Sequence, residues 1–230
     1  MKIIGHRGAA GYVAENTLAS LARALELDVD GIEVDVQASR DGEPVVIHDA
    51  SLERTTNGTG LVSQHSWAQL RLLRTGDGQS IPSLREVLQF VRRRVLLNIE
   101  IKARAAVPQA VALVREFRQQ QGGNPGEIIF SSFDHGSTDF VRRLDPSVSL
   151  ALLVQGLPPD EIWNVAARQL AVGVNLDLAS VTREFVQLAH ARQLQVGVYT
   201  VNRKGDADRL RAWQVDAIFS DLPDVVADSR

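Results

Sequence analysis

The feature that most limits the fold of this chain is an alternation. Eight short apolar runs recur along it, at residues 1–5, 32–36, 96–101, 128–131, 148–154, 172–176, 196–199 and 217–219, and a stretch of helical periodicity lies between each consecutive pair. Leu18, Leu21, Ala22 and Leu25 follow the N-cap candidates Asn16 and Thr17. Leu84, Val87, Leu88 and Val91 follow a Ser83–Glu86 capping box. Ala110, Leu113, Val114 and Phe117 follow Pro108, and Gly122-Gly123 is expected to stop that helix. Further helices are expected over 138–144, 158–167, 181–192 and 206–213. Eight strands with helices between them predict a closed (β/α)8 TIM barrel, and 230 residues is close to the typical length of about 250. The competing fold is an open doubly wound sheet, but no G-x-G-x-x-G follows a strand. No linker composition divides the chain, so 1–230 reads as a single domain.

One segment breaks the rhythm. In Gly31 to Asp49, Ile32, Val34 and Val36 alternate with Glu33 and Asp35, so both carboxylates share a face. Arg40-Asp41-Gly42 supplies a turn, and Val45-Val46-Ile47 leads to His48. The connection is too short for a parallel crossover, so the second run is expected to return antiparallel as a hairpin arm after strand 2. Residues 50–82 then form a loop insertion without clear periodicity. It contains the polar run Arg54-Thr55-Thr56-Asn57-Gly58-Thr59-Gly60 and one short helix through Trp67, Leu70 and Leu73. Long loops inside compact domains are usually functional.

Composition narrows the partners. The 28 acidic and 25 basic residues give a net charge of −3, and no nucleic-acid-binding motif is present. The chain has no cysteine, which rules out thiolate chemistry and disulfides. No apolar run approaches the about 18 residues that a membrane span requires, and no leader pattern precedes Lys2. A cytoplasmic protein without stable membrane association is the expectation, with a small molecule as its partner.

In such barrels the active site lies at the C-terminal ends of the strands. His6 and Arg7 end the first strand, Glu33 and Asp35 lie on the second with His48 on its hairpin, and Glu100 and Lys102 lie on the third. Each alone has a bland explanation as a strand-end polar group or an ordinary ion pair. A core of Val, Ile and Leu requires none of them, and all fall at one end of neighbouring strands. Three carboxylates without cysteine form a hard, oxygen-rich set suited to Mg²⁺, Ca²⁺ or Mn²⁺ rather than zinc. Arg7 offers a planar fork for phosphate oxygens and Lys102 a point charge. Two histidines can divide into general acid and general base. The combination suits displacement at a phosphodiester. An aldolase-like barrel with Lys102 as Schiff base is disfavoured by Glu100 on the same face.

These residues sit in blocks: His6-Arg7-Gly8 with Glu15-Asn16-Thr17, then Glu33-Val34-Asp35, then His48-Asp49 with the 54–60 run, then Glu100-Ile101-Lys102 and Tyr199-Thr200-Val201-Asn202. Over essentially its whole length the chain resembles the glycerophosphodiester phosphodiesterases. The resemblance implies a TIM barrel of the phospholipase C-like phosphodiesterase type. It also implies hydrolysis of glycerophosphodiesters, such as glycerophosphocholine and glycerophosphoethanolamine, to an alcohol and sn-glycerol 3-phosphate, with one divalent cation. By that resemblance Glu33, Asp35 and Glu100 are metal ligands and His6 and His48 the acid/base pair. Arg7 and Lys102 hold phosphate, and Glu15 and Asn16 are carried with them on the substrate side. The chain departs from the family pattern at Ala14, usually proline, and at Tyr199, often tryptophan, which bears on substrate preference. The rival readings are a lysophospholipase D or sphingomyelinase D-like lipid phosphodiesterase and a non-catalytic phosphate-binding barrel.

Overall fold

The structure, a computed structural model, describes residues 1–92, 95–121 and 128–227. Its strands are β1 (Lys2–Gly5), β2 (Gly31–Ala38), β3 (Pro44–Val46), β4 (Leu96–Ile101), β5 (Ile128–Ser132), β6 (Ser149–Val154), β7 (Gly173–Asp177), β8 (Gln195–Tyr199) and β9 (Ala217–Ser220). Eight of them run parallel in the order β1-β2-β4-β5-β6-β7-β8-β9, and β9 pairs back on β1. Ile4 lies opposite Gly31 on one side of β1, and Lys2 to Gly5 lie opposite Ala217 to Ser220 on the other. That closure excludes the open sheet. The ninth strand, β3, pairs antiparallel with the end of β2, as the short Arg40-Asp41-Gly42 connection requires.

Of the helices α1 (Leu18–Glu26), α2 (Trp67–Leu70), α3 (Leu84–Val91), α4 (Val107–Gln121), α5 (His135–Leu144), α6 (Pro159–Gln169), α7 (Arg183–His190) and α8 (Lys204–Ala212), all but α2, which lies in the insertion, cover the barrel, and α9 (Pro223–Val226) follows its last strand. Thr17 caps α1 by accepting the Ser20 N–H at 3.1 Å, and Ser83 caps α3 while Glu86 accepts the Ser83 N–H at 2.8 Å. Two differences from the expected helices have local causes. α5 starts three residues before Thr138, because the Asp134 carboxylate accepts from Gly136 N–H and Ser137 Oγ and starts the helix in a polar stretch that apolar periodicity cannot mark. α9 is a single turn begun by Pro223, too short to show a period. The Gly122-Gly123 stop lies outside the described residues.

Ile32, Val34 and Val36 of β2 and Leu97, Ile99 and Ile101 of β4 face outward, joining the buried stripe Leu84, Val87, Leu88 and Val91 of α3. A second cluster joins β6–β9 to α6–α8 through residues such as Leu152, Ile162, Val186, Val196 and Leu210. The insertion has a small core of its own, with Leu52, Val62, Leu70 and Ile81 packed on Val45 and Ile47 and covered by Trp67 and Leu73. Its expected helix is the single turn α2, which ends before Leu73. Inside the barrel, Ile4, Asn98, Ala151, Asn175, Gly197 and Phe219 line a cavity of about 480 Å³ at the N-terminal mouth. The polar residues of interest lie at the other end.

Candidate active site

The alternation of β2 turns Glu33 and Asp35 inward, and its register with β4 sets Asp35 opposite Glu100. The three carboxylates therefore meet, each offering an oxygen within 4.8 Å of the others. All three are buried, Glu33 to 2%, Asp35 to 1% and Glu100 to 9% exposure. Two cations answer three anions. Lys102 Nζ stands 2.7 Å from Glu100 Oε1 and 3.7 Å from Asp35 Oδ1. Arg7 Nε stands 3.3 Å from Asp35 Oδ2, an ion pair whose N–H is not aimed at the oxygen.

Glu33 has no cation of its own in this set. Its Oε2 accepts the Arg7 backbone N–H at 2.8 Å, and its Oε1 is buried without a hydrogen-bond partner. Burial, then the charges of Asp35 and Glu100, push the Glu33 carboxyl well above the usual carboxylate range. Burial and Asp35 also raise Glu100, with Lys102 opposing them. A hard, buried, three-carboxylate set with an orphaned oxygen fits a divalent cation of the Mg²⁺, Ca²⁺ or Mn²⁺ kind.

Each histidine leans on a carboxylate. His6 Nδ1 lies 2.7 Å from Asp221 Oδ1, and Asn202 holds Asp221 from the far side, donating from Nδ2 to Oδ2 at 2.7 Å and accepting the Asp221 N–H at 2.9 Å. Burial alone would raise Asp221, but the hydrogen bonds from His6 and Asn202 leave it below its usual value. His48 Nδ1 lies 2.6 Å from Asp49 Oδ1, and Arg54 reaches Asp49 with Nε at 2.6 Å and Nη2 at 3.0 Å. Arg54 first, then His48, holds the Asp49 carboxyl far below the usual range. Lys102 Nζ is 3.2 Å from His48 Nε2. An ammonium has only protons to give, so Nε2 is the acceptor and Nδ1 carries the proton donated to Asp49.

Arg7 and Asn16 both adopt left-handed backbone conformations, with φ of 54° and 59°. Asn16 is buried and directs both ends of its amide at Asp35, Nδ2 donating to Oδ2 at 2.8 Å and Oδ1 accepting the Asp35 N–H at 3.1 Å. Its amide is thus spent on a carboxylate of the cluster. Glu15 likewise spends its oxygens on cations, accepting from Arg7 Nη1 at 2.8 Å and from Arg54 Nη1 and Nη2 at 2.8 Å each. Across the mouth, Phe133 and Tyr199 meet edge to face at 5.9 Å between ring centroids, and Lys102 Nζ lies 5.7 Å from the Phe133 centroid.

All nine expected site residues therefore gather at the C-terminal mouth of β1, β2 and β4. Sequence reasoning missed Asp221, which the strand-end rule could have found, since it directly follows β9. It quoted Asn202, Asp49 and Arg54 within longer blocks and assigned them nothing. Phe133 carried no signal beyond its place after β5.

The family model described as the glycerophosphoryl diester phosphodiesterase family matches residues 6–225. A glycerophosphodiester phosphodiesterase of Caldanaerobacter subterraneus subsp. tengcongensis is 34% identical, with 97% of this chain and 95% of that protein covered. One from Bacillus subtilis is 30% identical over 96% of this chain and 84% of its own length. Among solved structures, an Oleispira antarctica phosphodiesterase in complex with the product sn-glycerol-3-phosphate superposes with a TM-score of 0.90 at 28% identity, covering 98% of this chain and 95% of that one.

Proposed function

We propose that this chain, which belongs to the glycerophosphoryl diester phosphodiesterase family and is an enzyme of that type, hydrolyses glycerophosphodiesters such as glycerophosphocholine and glycerophosphoethanolamine to an alcohol and sn-glycerol 3-phosphate. One divalent cation and two histidines serve the reaction. The observation that carries this reading is the pairing of each histidine with its own carboxylate beside the three-carboxylate cluster.

Glu33, Asp35 and Glu100 would hold the cation, which supplies charge to polarise a phosphate oxygen and to lower the pKa of a bound hydroxyl. Arg7 and Lys102 bring the remaining positive charge to the phosphate. His48, whose Nε2 is an acceptor in the resting arrangement, takes the proton of the attacking hydroxyl. Asp49 receives the Nδ1–H hydrogen bond and stabilises the imidazolium that results. His6, set by Asp221 and Asn202, delivers a proton to the departing alcohol oxygen. The attacking hydroxyl is the 2-hydroxyl of the glycerol, tethered beside the phosphate and so favoured by proximity. A 1,2-cyclic glycerophosphate forms, and water opens it, giving a proton to His6 while His48 returns one to the freed 2-oxygen. The resulting sn-glycerol 3-phosphate is the product seen with the Oleispira antarctica enzyme.

The test is ³¹P NMR of a panel of glycerophosphodiesters incubated with the protein. A phosphomonoester is expected with Mg²⁺, Ca²⁺ or Mn²⁺, lost in EDTA and regained on adding the cation. No phosphomonoester from any of them, or undiminished release after exhaustive chelation, would overturn the reading.

A further inference from the structure

Arg54 lies in the insertion, in the polar run after the hairpin, and its guanidinium is used on both edges. One edge, Nη1 and Nη2, takes both oxygens of Glu15 at 2.8 Å each. The other, Nε and Nη2, takes both oxygens of Asp49 at 2.6 and 3.0 Å. Glu15 in turn accepts from Arg7 Nη1 at 2.8 Å, and Asp49 from His48 Nδ1 at 2.6 Å. A continuous chain of charge-assisted bonds thus runs Arg7–Glu15–Arg54–Asp49–His48. It joins the loop after β1 to the hairpin arm through one residue of the insertion.

From this we infer that Arg54 is a positioning residue that sets two groups of the active site at once, the His48 imidazole through Asp49 and the Arg7 guanidinium through Glu15. The inference rests on the hydrolytic reading above. Geometry separates it from two simpler roles. Arg54 does not bind phosphate itself, because both edges of its fork already face carboxylates and no bidentate pair of donors is left. Nor is it only a fold staple. Its side chain is 47% exposed, and although bidentate pairs in a network are the exposed ion pairs that do add stability, added stability alone would neither split kcat from KM nor move a histidine resonance. The two loops are also joined independently where Asp77 Oδ2 accepts the Ala14 N–H at 3.2 Å. What Arg54 adds is direction. Glu15 and Asp49 without it carry adjacent negative charges with no shared partner, and each is free to turn away from the group it orients. Lysine cannot replace it, since one ammonium cannot present two coplanar edges.

The experiment is a mutant cycle on the intact, cation-loaded enzyme with glycerophosphocholine or whichever glycerophosphodiester it turns over. Asp49→Asn is expected to lower mainly kcat, and Glu15→Gln to raise mainly KM. Arg54→Met is expected to do both, with a combined loss of about 10- to 100-fold, the usual cost of removing a group that orients an active-site residue. Added to Asp49→Asn it should lower kcat little further, and added to Glu15→Gln it should raise KM little further. Arg54→Lys should stay impaired, while guanidinium ion should partly rescue Arg54→Gly. Arg54→Met within threefold of wild type in both kcat and KM, or losses that simply add to those of Asp49→Asn and Glu15→Gln, would overturn the inference. A second readout does not need turnover. The His48 Nδ1–H proton resonance, identified by its loss in His48→Gln, should shift or broaden in Arg54→Met. An unmoved resonance sinks the clamp even in an active enzyme. A wild-type protein without turnover sinks the hydrolytic reading and leaves the clamp to be judged by this resonance alone.

Discussion

Replacing Glu33 by glutamine should stabilise the cation-free protein while abolishing its response to the cation. The three carboxylates keep oxygens within 4.8 Å, and at an effective dielectric of about 20 each ionised pair at that distance repels by about 3 kcal/mol. Lys102 answers Glu100, and Arg7 and Lys102 answer Asp35, so the excess falls on Glu33. Without a cation that carboxyl is pushed toward its protonated form. The sign follows from linkage. Its folded value is raised above the ordinary 4.5, so between those values the native state binds more protons than the unfolded chain. Stability in chelator therefore falls as pH rises from about 4.5 toward the raised folded value, with a slope of at most about 1.4 kcal/mol per pH unit. Glutamine removes that slope. Glu33→Gln in EDTA should melt above wild type at pH 7, by about 2–4 °C for each kcal/mol of repulsion relieved in a chain of this size, and level with it near pH 4.5. Cation at about 100 times Kd should lift wild type by about 2.7 kcal/mol and the variant far less. The assay is thermal melting across pH 4.5–8 with EDTA or with each cation. A variant no more stable than wild type in EDTA at pH 7, or one equally stabilised by cation, would refute the electrostatic account.

Three further outcomes are expected. His6→Ala and His48→Ala should each lower kcat on glycerophosphocholine by about 10²–10⁴-fold, but on the p-nitrophenyl ester of glycerol 3-phosphate, whose leaving group needs no proton, only His48→Ala should stay slow; the reverse pattern would exchange their roles. The 2-deoxy analogue of glycerophosphocholine should lose rate mainly in kcat, with no cyclic ester visible by ³¹P NMR, whereas equal kcat values would make water the nucleophile. Ser83→Ala should cost about 1 kcal/mol by removing the α3 cap, a melting shift of about 2–4 °C with kcat unchanged, and a larger loss of activity than of stability would show that the cap also shapes the mouth.

Much of this was legible because barrel strands follow two simple rules. Outward positions repeat as Val, Ile and Leu at every second residue, so β2 and β4 announced both their faces, and polar residues at strand ends announced the mouth. The less legible parts depend on which groups meet across long separations. Nothing near His6 in the chain reveals that its partner is Asp221, 215 residues on. Asn16 read as an N-cap candidate beside Thr17, and only the fold shows that its amide is bonded at both ends to Asp35. The insertion lacked a period because its core is made of single residues spaced along turns, Leu52, Val62, Leu70 and Ile81, and no regular element repeats them.

The division of the apolar core into two clusters has a consequence for how such a barrel can diverge. The three clustered carboxylates and Lys102 hang from β2 and β4, whose outer faces belong to the first cluster. The second cluster carries Asp177 and Tyr199 at the ends of β7 and β8, and Phe133 leans across to meet Tyr199. Repacking α6, α7 or α8 therefore disturbs the wall that a leaving alcohol would meet, and with it Asn202 and Asp221 that set His6, while Glu33, Asp35 and Glu100 stay in register. A barrel on this plan can change the alcohol it meets by repacking that side, provided Asn202 and Asp221 keep their hold on His6.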